Sequence, residues 1–226
     1  MMKRTIVLIL SSTLLIGVAF AQKAGEEGTP QAGGAGKKKT LEQVLTGQNE
    51  NLLLMALERG NDKVKAECLA ALAKKYEAGG KADDASLDKI ILYAGYGVNY
   101  SAAIKGFQQD STWLVRREAA IALARIRSDK AVRNLVDILR REREPLVKVN
   151  IIFALGEIGS PGAVQVLLDT LRLSQQQNIL YETVVALGKI GSKEAFVELL
   201  NVAQEDRNLD VVRQASVDAI DKIKWN

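Results

Sequence analysis

Polar side chains that can form ion pairs and hydrogen bonds recur every 32 residues in the second half of the chain. Guanidinium, carboxylate and amide groups recognise partners through such bonds, so the chemistry that this spacing offers is binding. We therefore predict a partner-binding face made of Arg133, Asp137, Arg140, Arg141, Gln165, Asp169, Arg172, Asn201 and Gln204.

Eight of these residues form three rows when the sequence is aligned at its period of 32 residues, with Val197 completing the row of Arg133 and Gln165. Arg141 follows Arg140 and lies outside the rows. Charge declines along the rows, from Arg140 and Arg141 at one end to Gln204 at the other. A face of this kind suits an extended partner segment of mixed charge. The alternative is a solvated face, kept soluble by ion pairs three residues apart that contribute only ~0.2–0.5 kcal/mol each.

The sequence contains no histidine, which removes the commonest general base and metal ligand and every Ser-His or Cys-His nucleophile. Cys68 is the only cysteine and shares an apolar helical face with Val64 and Leu72, which predicts a buried structural thiol. The Gly95-x-Gly97 pair lacks the preceding strand and third glycine of a dinucleotide-binding loop. We predict no catalytic, cofactor-binding or metal-binding residue, and no enzymatic activity.

The rows lie on a repeated supersecondary unit. One apolar pattern starts at Val115, Val147 and Ile179, and each copy precedes a second apolar-periodic run. A period of this length indicates helix pairs that cannot bury their apolar faces alone and must stack. The first runs are Val115–Ile126, Val147–Ile158 and Ile179–Ile190, and the second are Lys130–Arg141, Gly162–Leu173 and Glu194–Gln204.

Small residues recur at the helix ends and inside the first helices of the repeated units. Gly159 and Gly191 follow the first helix of their units. A residue in the left-handed conformation commonly ends a helix, and glycine adopts that conformation with the least strain. The serines 128, 160 and 192 are expected to cap the second helix. Gly156 and Gly188 lie inside a helix, which predicts close approach of a neighbouring helix. A last copy, Val212–Ile223, lacks a second helix and carries extra charge, as expected of an end cap.

Residues Val115-Arg116, Ala154–Ser160, Ala186–Ser192 and Val212-Arg213 resemble HEAT repeats, in particular the short HEAT-like class of phycobilin lyases. This resemblance implies an all-α fold, a right-handed α-solenoid of stacked antiparallel helix pairs, with the second helices on its concave face. It also implies protein–protein interaction or scaffolding. HEAT-like iron-dependent hydroxylases use His-Glu pairs, which a chain without histidine cannot supply.

The N-terminus resembles a secretory signal peptide over residues 1–21, with Lys3 and Arg4 before an apolar core and Ala19-Phe20-Ala21 at the cleavage site. Cleavage after Ala21 and export to the periplasm are expected. The alternative is an uncleaved anchor, but the core at residues 6–20 is shorter than the roughly 20 residues that span a bilayer. Residues 22–39 lack large apolar side chains, which predicts a disordered linker whose lysine run makes at most a peripheral membrane contact.

The remaining residues, 40–226, are predicted to form one solenoid, with irregular first units at 40–110 and regular repeats at 111–226. Val64 and Val115 are 51 residues apart instead of 32, so the early unit contains an insertion. Tyr93–Tyr100 within it predicts a turn or a contact surface. The expected helices are Leu41–Leu45, Asn51–Glu58, Asp62–Tyr76, Ser86–Ala94 and Ser101–Gln108.

The predicted function is that of an exported, non-enzymatic scaffold whose partner is a protein or peptide of the cell envelope. A HEAT-like lyase or enzyme-associated subunit is the alternative. Nucleic-acid binding is opposed by the export signal and by a net charge of only +4. The arginines between Arg116 and Arg143 alternate with acidic residues, which favours ion pairing over contacts with phosphates. Trp113 and Trp225 are expected to pack at unit junctions.

Overall fold

The computed structural model describes residues 41–98 and 112–225, and these are helical with no strand. The helices are α1 (Leu41–Thr46), α2 (Glu50–Arg59), α3 (Asp62–Glu77), α4 (Asp84–Ala94), α5 (Thr112–Ile126), α6 (Val132–Arg141), α7 (Pro145–Ile158), α8 (Val164–Leu173), α9 (Gln177–Ile190), α10 (Phe196–Gln204) and α11 (Asp210–Asp221). None of the described helices is both long and apolar enough to cross a membrane.

The all-α solenoid predicted from the sequence is confirmed. The first helices α3, α5, α7, α9 and α11 pack side by side in chain order. Each second helix packs on the first helix of the following unit, so α6 lies against α7, α8 against α9 and α10 against α11. The predicted helix at Ser101–Gln108 lies outside the described residues, as do the signal segment and the linker at 22–39.

Two glycines allow the first helices to approach closely, as predicted. A Cβ atom added to Gly156 of α7 would lie 2.8 Å from the Cα atom of Ala186 in α9. One added to Gly188 of α9 would lie 2.9 Å from the Cβ atom of Ala219 in α11. Real side chains do not approach this closely, so the spacing of the stack depends on both glycines. The second helices touch one another only sparsely and leave grooves between them.

The predicted helix ends are confirmed at the glycines and only in part at the serines. Gly159 and Gly191 adopt left-handed conformations, with φ of 73° and 72°. Only Ser192 accepts a hydrogen bond with its side chain, from the backbone N–H of Glu194 at 3.3 Å. A 3-10 turn follows all three serines, and the carbonyl oxygens of Ser128, Ser160 and Ser192 each accept from the backbone N–H three residues on. The serines therefore begin a 3-10 turn and do not cap the second α-helix directly.

The exposed side of the last described helix, α11, differs from the corresponding side of the preceding first helices. Val217 of α11 lies 33 residues after Val184, and it is 51 % exposed where Val184 is fully buried. Asp221 occupies the register of Gly188, so a carboxylate replaces the glycine that would admit another helix. Trp225 packs edge-on against Phe196 with 5.3 Å between ring centroids, but it remains 61 % exposed. The predicted packing role of this tryptophan is therefore only partial.

The described part of the insertion is packed into the fold. Tyr93 of α4 is buried, and its hydroxyl donates a hydrogen bond to the carbonyl oxygen of Leu57 at 2.9 Å. Gly97, with φ of 81°, turns the chain after α4. The predicted turn is thus present at residues 95–98, and Tyr93 is a core residue of α4 rather than part of a contact surface. Tyr100 lies outside the described residues.

Glu157 links successive units, and this predicts a dependence of stability on pH. Its carboxylate accepts a hydrogen bond from Lys189 of α9 at 2.7 Å and pairs with Arg127 at the end of α5. Burial alone would raise the pKa of Glu157, but the bonds from Lys189 and Arg127 outweigh it and lower the pKa. Stability from this carboxylate is present above about pH 4.3, the ordinary pKa of glutamate, and is lost as pH falls through the lower folded-state value.

We expect Glu157→Gln to be less stable than the parent chain near neutral pH, with a difference that shrinks as the pH falls below about 4.3. Chemical denaturation of both proteins across that range measures it. A difference that stays constant from neutral to acid pH would contradict this role for Glu157.

Candidate partner-binding face

The predicted polar rows face solvent because the opposite side of each second helix is buried. Leu135, Ile138 and Leu139 of α6 belong to the apolar core, as do Leu167 and Leu171 of α8. This spacing of three to four residues fixes the rotation of each helix and turns the intervening polar positions outward. Asp137 and Asp169 are partly buried, and the other seven predicted residues are exposed: Arg133, Arg140, Arg141, Gln165, Arg172, Asn201 and Gln204.

A groove of about 640 Å³ opens between the C-terminal ends of α6 and α8, and we call it the α6–α8 groove. Its apolar lining comprises Leu139, Val166, Leu173 and Ile179. Its charged lining comprises Arg140, Lys148, Asp169 and Arg172, and Thr170, Ser174, Gln175 and Gln176 complete the wall.

A second groove of about 370 Å³, the α8–α10 groove, lies one unit further along. Arg172, Ser174 and Gln175 line both grooves, so the two are adjacent. The α8–α10 groove is largely polar. Its other lining residues are Leu171, Gln177, Leu180, Glu198, Asn201, Val202, Glu205, Arg207 and Asn208.

Arg172 lies between the grooves and joins neighbouring units. Its Nε and Nη2 atoms lie 2.9 Å and 2.6 Å from Oε1 of Glu198 in α10. Its Nη1 atom lies 3.6 Å from Oδ1 of Asp169, one turn earlier in α8. This arginine therefore pairs with a carboxylate of its own helix and with one of the next unit, at the boundary of the two grooves.

The ion pairs predicted within the second helices are present. Arg140 lies 3.8 Å from Asp137, a pair that matches the one between Arg172 and Asp169. Gln165 donates to the carboxylate of Asp169 at 2.9 Å. Arg141 turns back along its own helix and donates to the carbonyl oxygen of Asp137 at 3.1 Å.

The structure brings together only part of the predicted face. Arg140, Asp169 and Arg172 line the α6–α8 groove, and Arg172 and Asn201 line the α8–α10 groove. The remaining predicted residues, Arg133, Asp137, Arg141, Gln165 and Gln204, lie outside both linings.

Most residues that line the grooves were not predicted from the sequence, among them Lys148, Leu173 and Glu198. Lys148 belongs to a first helix, so a comparison of second helices alone could not find it. Glu198 follows Val197 directly and makes the end of the face charged, where the aligned rows indicated a neutral end. Leu173 ends α8 and is 84 % exposed, and an apolar residue at a helix end gives no signal of a groove.

The outward side of the first helices offers a less open surface. Ile121, Phe153 and Val185 follow the period of 32 residues and are all partly buried. Lys189 and Arg125 lie over the ring of Phe153, at 5.0 Å and 5.7 Å from its centroid. Cations of the chain itself thus cover the large apolar side chain of this row.

The other candidates for chemistry have structural roles. Cys68 is fully buried, and burial raises the pKa of its thiol, which leaves it protonated at neutral pH. In the described ranges, no three Cys, Asp or Glu side chains are arranged to hold a metal ion. The arginines at 116, 117, 125, 127 and 140 each pair with a carboxylate, as the alternation of charges indicated.

Comparison with known families agrees with this geometry. A family model described as HEAT repeats matches residues 132–221, and one described as PBS lyase HEAT-like repeat matches residues 115–141. The chain contains HEAT-like repeats. Together the two matches extend from α5 to α11 and include both grooves. No match was found among curated proteins. HEAT-like repeats form helical scaffolds for protein interaction, and the PBS lyase description refers to the repeat and assigns no lyase activity to this chain.

Proposed function

We propose that this protein is an exported, non-enzymatic scaffold that holds a protein or peptide partner along its second helices. The observation that carries the proposal is the pair of adjacent grooves joined at Arg172. Each groove lies between units of the solenoid, so a partner that follows the stack meets both. An extended segment fits this arrangement, because its side chains enter successive grooves while its backbone follows the solenoid.

Export rests on the sequence of residues 1–21, and it makes a protein or peptide of the cell envelope the expected partner. Mass spectrometry of the protein purified from the periplasmic fraction tests this part. A mature chain that begins at Gln22 is expected. Recovery of the chain in the cytoplasm with residues 1–21 intact would refute export.

The binding face is tested by charge reversal in the full chain. Arg140→Glu and Arg172→Glu are each expected to weaken binding of the partner at least about tenfold, because both arginines line the grooves. Arg133→Glu is the matched control, since this substitution makes the same charge change on α6 at a residue that lies outside both linings. The partner is first identified by crosslinking in intact cells, and its affinity for each variant is then measured with purified proteins.

Circular dichroism and thermal unfolding of each variant establish that it is folded. This check matters for Arg172→Glu, which places a carboxylate beside Asp169 and Glu198. Unchanged affinity for both groove variants, or an equal loss in Arg133→Glu, would show that the partner binds elsewhere.

A further inference from the structure

The linings of the two grooves differ in charge, and this difference selects the partner's chemistry. We propose that the α6–α8 groove binds a segment in which a carboxylate lies next to a large apolar side chain, and that the adjoining residues continue into the α8–α10 groove. The inference rests on the proposed function and specifies the chemistry of the partner at the same site.

The apolar part of the α6–α8 groove is suited to one large side chain. Leu139, Val166 and Ile179 line the groove but are at most 5 % exposed, so they offer little surface of their own. Leu173, which is 84 % exposed on the rim, supplies most of the apolar surface. An aliphatic or aromatic side chain placed against the lining would cover Leu173 and remove this apolar surface from water.

The charged part of this groove is basic. Arg140, Lys148 and Arg172 are cationic, and Asp169 is the only acidic residue among the lining residues described. Asp169 already accepts from Gln165 and lies near Arg172. Lys148 forms no ion pair with any carboxylate in the described part of the chain. Arg140 has only the long contact of 3.8 Å with Asp137. A carboxylate of the partner would therefore meet two cations with little competition.

The α8–α10 groove offers no such excess of positive charge. Its arginines, Arg172 and Arg207, are matched by Glu198 and Glu205, at 2.6 Å and 3.5 Å respectively. The amide groups of Gln175 and Asn201 remain to bond the backbone of an extended segment. The carboxylate is therefore expected in the α6–α8 groove and neutral or polar residues in the other.

The spacing of helices bounds the length of the segment. Packed helices lie about 8–10 Å apart, and an extended chain advances about 3.3–3.6 Å per residue. Roughly three residues then correspond to one groove, and about six residues span both. Either an Asp or Glu side chain or a free C-terminus supplies the required carboxylate.

Selection from displayed peptide libraries tests this inference on the full chain. Two libraries of random 12-residue peptides are used, one fixed at both ends and one with a free C-terminus. Enriched sequences are expected to carry Asp or Glu within two residues of Leu, Ile or Phe. Enrichment in the free-terminus library of apolar residues at the last position would identify the terminal carboxylate as the source.

Synthetic peptides of the enriched sequence then give affinities for variants. Lys148→Glu and Leu173→Ser are each expected to weaken binding at least about tenfold. Lys193→Glu is the matched control for Lys148, because Lys193 is exposed and outside both linings. Replacing the peptide's Asp or Glu by Asn or Gln is expected to remove the effect of Lys148→Glu.

Three results would overturn the inference: no enrichment, enrichment of basic peptides, or acidic peptides whose affinity is unaffected by Lys148→Glu. Failure of the inference can be separated from failure of the proposed function. Peptides without a carboxylate that still depend on Leu173 and Arg172 would refute the acidic partner and leave the groove in place. Peptides whose affinity is unchanged by substitution of Arg140, Arg172 and Leu173 would refute the binding face itself.

Discussion

Glu142→Ala is expected to lower the free energy of unfolding by about 3–5 kcal/mol, because it leaves the guanidinium of Arg116 buried without its counter-ion. The side chains of Arg116 and Glu142 are only 4 % and 2 % exposed. Nε of Arg116 lies 2.7 Å from Oε2 of Glu142, and Nη2 lies 3.2 Å from Oε1. Urea denaturation of the parent chain and the variant measures the loss.

The same pair connects α5 to two other parts of the fold, so its loss is expected to affect more than one helix. Nη1 of Arg116 donates to the hydroxyl of Thr112 at 2.7 Å and to the carbonyl oxygen of Tyr96 at 3.1 Å. Oε1 of Glu142 accepts from the backbone N–H groups of Arg143 and Glu144, both at 2.9 Å. The pair thus ties α5 to the turn after α4 and to the start of α7.

A second variant separates the cost of an orphaned charge from the value of the pair. Replacing both residues, Arg116→Met with Glu142→Leu, is expected to cost much less than Glu142→Ala alone, because no buried charge is left without a partner. Glu205→Ala removes an exposed carboxylate and is expected to change stability little. If Glu142→Ala were as harmless as Glu205→Ala, the buried pair would not be a determinant of stability.

Leu155→Ala is expected to lower the free energy of unfolding by about 2–5 kcal/mol, because it opens a cavity in the apolar core. Leu155 of α7 is fully buried, and Leu123 and Leu187, in the same register of α5 and α9, are at most 1 % exposed. Leu173→Ala is the matched control, since it removes the same atoms from a side chain that is 84 % exposed. The control is expected to change stability by no more than about 0.5 kcal/mol.

Denaturation of both leucine variants under one set of conditions makes this comparison. Equal losses would contradict the assignment of Leu155 to the core and of Leu173 to the surface. Leu173→Ala has a further use, because loss of partner binding in this variant without loss of stability separates the binding role of Leu173 from folding.

The period of the sequence was sufficient to predict the stack. Glycines at 156 and 188 indicated close helix contacts, and both positions are where a Cβ atom would collide with the next helix. Such features are local and repeated, so one copy supports the interpretation of the next. The serines were less informative, because a serine before a helix is compatible with either an α-helical cap or a preceding 3-10 turn.

The buried ion pair could not be predicted from the same pattern. Arg116 lies in the densest run of arginines, where the usual interpretation is an exposed side chain in a local ion pair. Its partner Glu142 is 26 residues away, after a complete second helix. Only the packing of α5 against the connection between α6 and α7 brings the two together.

The grooves were only partly predictable, for a similar reason. Alignment of the second helices identified Arg140, Asp169 and Arg172, which share one helix type and one period. Lys148 joins them from a first helix, because the beginning of α7 lies against the gap between α6 and α8. The volume of that gap depends on the spacing of whole helices and cannot be predicted from any single residue.

Photo-crosslinking in intact cells tests the central claim, that a protein partner occupies the second-helix grooves. A photo-reactive phenylalanine analogue is placed at Leu173, on the rim of the α6–α8 groove, or at Tyr181, an exposed residue on the first helix α9. A crosslinked protein partner is expected from position 173 and none from position 181. A partner captured at position 181 but not at position 173 would contradict it.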